Sequence, residues 1–220
     1  MTVPVKICGI TRPEDADLAA RLGAAWVGFI FWPRSPRFVE PATAAAILAG
    51  LPPHVGGVGV FVDQPVDEVN AIADEVGLSA AQLHGQESTA ACRQCRRRVI
   101  KAVRLSGGGG GDDPDSVWSG ATILVDAFDP VRMGGTGRQV DWTRAAQLAR
   151  RRPLMLSGGL RAENVADAVR QVAPYGLDVS SGVESRPGVK DPDRLRAFFA
   201  ALSAADPAAS APVGKLEQES

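Results

Sequence analysis

Cys8 and Asp126 are the side chains of this sequence best placed to move a proton between them. Cys8 closes the apolar run VPVKIC (3–8) and Asp126 closes TILVD (122–126). A thiolate base facing a carboxylic acid suits moving a proton on and off a sugar without a cofactor. Each residue also has a plainer reading. A lone cysteine at a strand end serves equally as a small buried hydrophobe, and an aspartate there as a helix cap or ion-pair partner. His84, one of two histidines, fits a structural hydrogen bond better than catalysis. Three glycine-bearing turns, GGTG (134–137), SGGL (157–160) and SSGVE (180–184), let backbone N–H groups approach an anion closely. Together they point to a phosphorylated small molecule, with GGTG as a lid. No HExxH, paired CxxC, GxSxG or Walker sequence occurs, so metal-hydrolase, serine-hydrolase and P-loop readings have no support, and no metal is expected.

For these groups to meet, the runs that carry them must converge. Eight short apolar runs, at 3–8, 26–31, 57–62, 80–84, 99–103, 122–126, 154–157 and 177–181, are apolar enough to be buried on both faces of a parallel sheet. Between them lie segments of helical period at 13–22, 41–49, 65–76, 87–97, 141–151, 163–173 and 191–203. Start signals stand at Thr11, Glu40, Asp141 and Asp191, each next to or just before Pro or Trp. The fifth crossover carries five consecutive glycines (107–111) and predicts a loop with at most a short helix near Pro114–Trp118. Eight such units predict a (β/α)8 barrel, an α/β fold whose active site lies at the C-terminal strand ends. Those ends hold Cys8, Arg34 to Arg37, Asp63, Gln64, His84, Arg104, Asp126, Ser157 to Gly159 and Ser180 to Gly182. Alternation places Lys6 on the face of Cys8 and Asp178 on that of Ser180. Strands 1 and 8 become neighbours on closure, so Lys6 and Asp178 are expected to pair below the site. Gln82 and His84 are likewise expected to share a face.

Composition narrows the setting. The 220 residues are 45% apolar and 22% charged, with 24 Lys+Arg against 25 Asp+Glu, ordinary values for a globular protein and no footprint for nucleic acid or an anionic membrane. No apolar stretch approaches a membrane span, the N-terminus lacks a secretory pattern, and three cysteines fit a reducing cytoplasm better than a disulfide framework. One domain over 1–202 and a disordered Ala/Pro/Ser-rich tail over 203–220 are expected. The CxxC within ACRQCRRR (91–98) lacks a second pair. Its arginines, like Arg150 to Arg152, are expected at solvated helix C-termini.

KICGITR (6–12), GFIFWPRSPRFV (28–39), QLHG (82–85), LVDA (124–127), GGTG followed by DW (134–142), SGGL with ENV (157–165) and DVSSGVE with PGVKD (178–191) together resemble the phosphoribosylanthranilate isomerase family. The resemblance runs in order from about Lys6 to Phe199. It implies an Amadori rearrangement of N-(5'-phosphoribosyl)anthranilate to 1-(o-carboxyphenylamino)-1-deoxyribulose 5-phosphate, a step of tryptophan biosynthesis needing no cofactor. Carried onto these positions, Asp126 is the general acid toward the furanose oxygen and Cys8 the base at C2. Arg37 holds the anthranilate carboxylate, and Gly135, Gly158, Gly159, Ser181 and Gly182 hold the phosphate. His84 is expected among the substrate-facing residues. The family implies a monomer or a homodimer. The glycine insert and the tail are departures, as is Ser157 where Ala is expected; beside the phosphate it should be harmless. The rival readings are the analogous isomerase of histidine biosynthesis, which has Asp where Cys8 stands, and a silent ligand-binding barrel, which has no need of both Cys8 and Asp126. Partial thiolate character of Cys8 at neutral pH is expected from a nearby cation or helix N-terminus.

Overall fold

Alternation along the apolar runs divides their side chains between two layers, and a closed barrel is the arrangement that buries both. The computed structural model describes residues 3–105, 113–127 and 141–205. The eight runs form parallel strands β1 (Val5–Cys8), β2 (Trp26–Ile30), β3 (Gly56–Phe61), β4 (Ala80–Leu83), β5 (Arg98–Leu105), β6 (Thr122–Ala127), β7 (Leu154–Leu156) and β8 (Gly176–Val179). They pair in chain order, and β8 returns to β1 to close the barrel. Val58, Ala80, Ile100, Ala102, Leu124 and Met155 pack together inside it. Their strand neighbours, among them Val27, Phe29, Phe61, Ala81, Val99, Ile123 and Leu156, belong to the larger core beneath the helices. Those helices are α1 (Pro13–Arg21), α2 (Pro41–Ala49), α3 (Val66–Val76), α4 (Thr89–Gln94), α5 (Trp142–Ala149), α6 (Val165–Val172) and α7 (Pro192–Ala204). Among the described residues between β5 and β6 stands one 3-10 turn, Pro114–Ser116; the glycine run before it, and the tail beyond 205, lie outside the described residues.

The inner layer is not wholly apolar. Across the closing seam the register sets Lys6 opposite Asp178, with Nζ 2.9 Å from Oδ1 and side-chain exposures of 0% and 6%. Burial alone would pull the lysine down, but Asp178, aided by Cys8, holds it above the ordinary lysine range. Gly28 makes room for this arrangement, since a Cβ there would stand 2.8 Å from Lys6 Cε and 3.1 Å from Cys8 Cα.

Several local expectations are corrected. The helix expected over 87–97 is shorter, because Arg98 already belongs to β5; Ser88 caps it by accepting from the Ala91 N–H. Cys92 and Cys95, at its end, are free thiols. Arg96 and Arg97 are solvated as expected but follow the end of the helix, where both pair with the exposed Asp74 of α3. Arg152 donates to the carbonyls of Pro114, Val117, Trp118 and Ala121 and so clamps the chain entering β6. Asp141 and Asp191 cap their helices as expected, but Glu40 makes no cap bond. The Thr11 hydroxyl donates to the Gly188 carbonyl, and Arg12 is the residue that precedes α1. After β8 the chain makes a hairpin, β9 (Glu184–Arg186) with β10 (Val189–Lys190), which the alternating pattern did not reveal. Among the described residues no helix is long and apolar enough to cross a membrane.

Asp178→Ala leaves the Lys6 ammonium buried without its partner and is expected to cost about 3–5 kcal/mol. The double variant Lys6→Met/Asp178→Leu is expected to regain most of that loss in urea unfolding. A single variant within about 1 kcal/mol of wild type would contradict burial of the pair.

Candidate active site

The C-terminal strand ends surround a cavity of about 830 Å³, within the range of small-molecule sites. Cys8, Arg34 to Arg37, His84, Asp126, Ser157 to Gly159 and Ser180 to Gly182 all line it. Asp63 and Gln64 are engaged in loop packing instead: Asp63 Oδ1 accepts from the Gln86 N–H, and the Gln64 amide bonds Glu68. Arg104, half-buried at the end of β5, is not among the lining residues. Gly135 and the GGTG segment lie outside the described residues.

Cys8 stands over the Lys6–Asp178 pair and is 6% exposed. Burial pushes its thiol up; Lys6 and Lys190 pull the other way, and the net position is above the ordinary cysteine range. The partial thiolate expected at neutral pH is therefore corrected to a resting thiol. The nearby cations are present, but desolvation outweighs them.

Asp126, 5% exposed, is addressed at both oxygens. His84 Nε2 lies 3.3 Å from Oδ2, and the Ser157 hydroxyl donates to Oδ1 at 3.4 Å. Ser157 thus touches the carboxylate itself, a closer role than a neutral neighbour of the phosphate turn. Gln82 and His84 share a face, as alternation requires, with Gln82 Nε2 3.0 Å from His84 Nδ1.

The hairpin brings two residues that sequence reasoning did not single out. Glu184 accepts from Arg37 through Nε at 2.9 Å and Nη2 at 2.7 Å. It also takes the Lys190 ammonium at 2.9 Å. Burial would raise this carboxyl, but Arg37 and Lys190 hold it below the ordinary range. Lys190, 1% exposed, is itself pulled down by burial and donates to the Cys8 carbonyl at 2.5 Å. Arg37 therefore enters the cavity with part of its donor fork fixed and its remaining N–H groups oriented by that grip. Gly9, with φ 76°, permits this, because a Cβ there would meet Arg37 Cδ at 2.6 Å.

The turns after β7 and β8 press together. Gly158 and Gly159 have φ of 86° and 68°, a region that favours glycine. At Gly182 a Cβ would fall 1.8 Å from the Leu160 carbonyl oxygen, so only glycine lets the two turns meet. Among the described residues no three His, Cys, Asp or Glu side chains group as metal ligands do.

A closed (β/α)8 barrel with a thiol, a carboxylate and glycine turns around one cavity at its C-terminal face has the layout of a barrel enzyme. The chain matches the family described as N-(5'phosphoribosyl)anthranilate (PRA) isomerase over residues 5–201. It is 47% identical over 201 residues to an N-(5'-phosphoribosyl)anthranilate isomerase of Geobacter sp. (strain M21), covering 89% of this chain and 96% of that one. A phosphoribosyl anthranilate isomerase crystal structure from Thermus thermophilus superposes with a TM-score of 0.82 at 41% identity, over 91% of this chain and 98% of that chain. Another such isomerase, solved in complex with reduced 1-(o-carboxyphenylamino)-1-deoxyribulose 5-phosphate, gives a TM-score of 0.79 at 40% identity, over 92% and 99%. The chain belongs to the N-(5'-phosphoribosyl)anthranilate isomerase family. It is an isomerase of tryptophan biosynthesis, and its reaction is the Amadori rearrangement.

Only a thiolate is readily alkylated, and a raised thiol pKa leaves little thiolate at neutral pH. In a Cys92→Ser/Cys95→Ser background, iodoacetamide labelling of Cys8 is expected to quicken about tenfold per pH unit from 7 to beyond 8.5, the unperturbed value. A rate that levels off below about pH 8 would contradict the raised thiol.

Proposed function

We propose that Asp126 and Cys8 divide the rearrangement between them as acid and base. Asp126 protonates the furanose ring oxygen; the C1–O bond breaks, and the anthranilate nitrogen lone pair forms the Schiff base. Cys8, as thiolate, then takes the C2 proton; the resulting enolamine becomes the ketone as C1 takes a proton back from Cys8 and the 2-hydroxyl proton returns to Asp126, which restores both groups. The observation that carries this reading is that both groups line one cavity from β1 and β6, the first and sixth of eight strands. The raised thiol fits the role, since the thiolate of a weak acid is a strong base even at low population.

Phosphate binding is assigned to the backbone of Gly158, Gly159, Ser181 and Gly182, with Gly135 joining from the segment after β6. The left-handed turn at 158–159 and the close approach of Gly182 to Leu160 support this assignment, because both leave backbone amides unscreened by side chains. Arg37 is assigned to the anthranilate carboxylate through the N–H groups that Glu184 leaves over. His84 lines the same cavity and works beside Asp126. The bound complex of the relative solved with reduced 1-(o-carboxyphenylamino)-1-deoxyribulose 5-phosphate supports a phosphorylated ligand of this class.

Three free thiols support a cytoplasmic setting. Within the choice of monomer or homodimer, the described surface favours the monomer, because Tyr175 is its one large exposed hydrophobic residue and stable dimers bury apolar patches.

The assay is loss of substrate fluorescence with purified protein. Cys8→Ser and Asp126→Asn are each expected to lower kcat at least about a hundredfold while remaining folded. For wild type, kcat/KM is expected to climb from pH 6 through 8, since the active thiolate is populated as pH rises toward a raised pKa. Full activity in either variant would end its assignment. Glu184→Gln loosens the grip on Arg37 and is expected to raise KM about tenfold with a smaller change in kcat, the loss of one charged hydrogen bond; an unchanged KM would show that Arg37 needs no such support.

A further inference from the structure

Gln82 is 1% exposed and has no part in the steps above. Its Oε1 is buried and has no hydrogen-bond partner among the described residues. Its Nε2 stands 3.0 Å from His84 Nδ1, and His84 Nε2 stands 3.3 Å from Asp126 Oδ2. An amide nitrogen can only donate. Nδ1 must then accept, and a neutral imidazole in that position carries its proton on Nε2, the nitrogen facing Asp126. The opposite amide orientation would turn two N–H donors into the place of Oε1, and buried unpaired N–H groups are rarer than underused carbonyls.

We infer that Gln82 is a positioning residue for the acid step: it holds His84 in the Nε2–H tautomer, so that the imidazole donates to the carboxylate formed as Asp126 gives up its proton. The inference rests on the reading of Asp126 as the acid. In this step the Asp126 O–H bond breaks and an O–H bond forms on the substrate ring oxygen. His84 neither gains nor loses a proton; it supplies a fixed donor where negative charge develops. Without the amide, the two imidazole tautomers are closer in energy, and the one protonated on Nδ1 turns a lone pair toward the new carboxylate.

The test uses the full chain with 15N-labelled histidine. His84 and the exposed His54 are the two histidines present, so His54→Gln leaves a single imidazole to read. The expected spectrum shows an unprotonated Nδ1 and a protonated Nε2. Gln82→Glu keeps the shape but presents an acceptor to Nδ1, and is expected to move the proton to Nδ1. With that switch kcat is expected to fall at least about tenfold, as for other residues that orient a catalytic group from behind, while KM stays within about threefold. Gln82→Met, with no polarity at that position, is expected to show mixed tautomers and an intermediate kcat. A wild-type spectrum with the proton on Nδ1 overturns the inference without recourse to any variant. So does a Gln82→Glu protein with the switched tautomer and a kcat within about threefold of wild type. If Asp126→Asn retains full activity, the acid reading itself falls; if Asp126→Asn is inactive while Gln82→Glu is not, the role of Gln82 alone falls.

Discussion

The ion pair between Lys6 and Asp178 sits on the seam where the barrel closes, and much of the site is built on it. A charge at 0% exposure tolerates one register and one facing, because slipping either strand by a residue would send Lys6 or Asp178 among the apolar side chains under the helices and break the pair. With Lys6 facing inward, Cys8, two residues on, must face inward too. Gly28 is then confined to glycine by the Lys6 side chain and the Cys8 backbone. The pair thus fixes the phase of β1 and β8 and places a polar floor under the thiol.

Above that floor the electrostatics are arranged from the other side by the hairpin after β8. Lys190 ties the Cys8 carbonyl to Glu184, and Glu184 grips Arg37. Cations and carboxylates alternate around the thiol, and desolvation still leaves it raised. The thiol on β1 and the Asp126 carboxyl on β6 thus share one cavity with an oriented arginine and the glycine turns.

Much of this was legible before any coordinates. The strand count follows from apolar runs bounded by glycine and polar residues. The Lys6–Asp178 pair and the shared face of Gln82 and His84 follow from the two-residue period of a strand. What alternation cannot show is where long side chains reach across loops. Glu184 finds Arg37 from 147 residues away, and Arg152 clamps four carbonyls more than 30 residues earlier; neither leaves a periodic trace. The Lys101–Glu87 pair on the outer face of β5, at 2.9 Å, is hidden for the same reason. The thiol misled in another way: the cations were correctly expected, but the balance against burial needs the actual depth of Cys8. The end of α4 was misplaced because its arginines fit a helix terminus as well as they fit the approach to β5.

The account stands most directly on the claim that Cys8 and Asp126 act on one bound sugar from different sides. A crystal structure of this chain with reduced 1-(o-carboxyphenylamino)-1-deoxyribulose 5-phosphate tests it. The expected complex has the phosphate on Gly158, Gly159, Ser181 and Gly182, the carboxylate on Arg37, the Cys8 sulfur beside C2, and Asp126 toward the oxygen derived from the ring. A ligand seated with C2 out of reach of Cys8, or with its phosphate on Arg37, would contradict it.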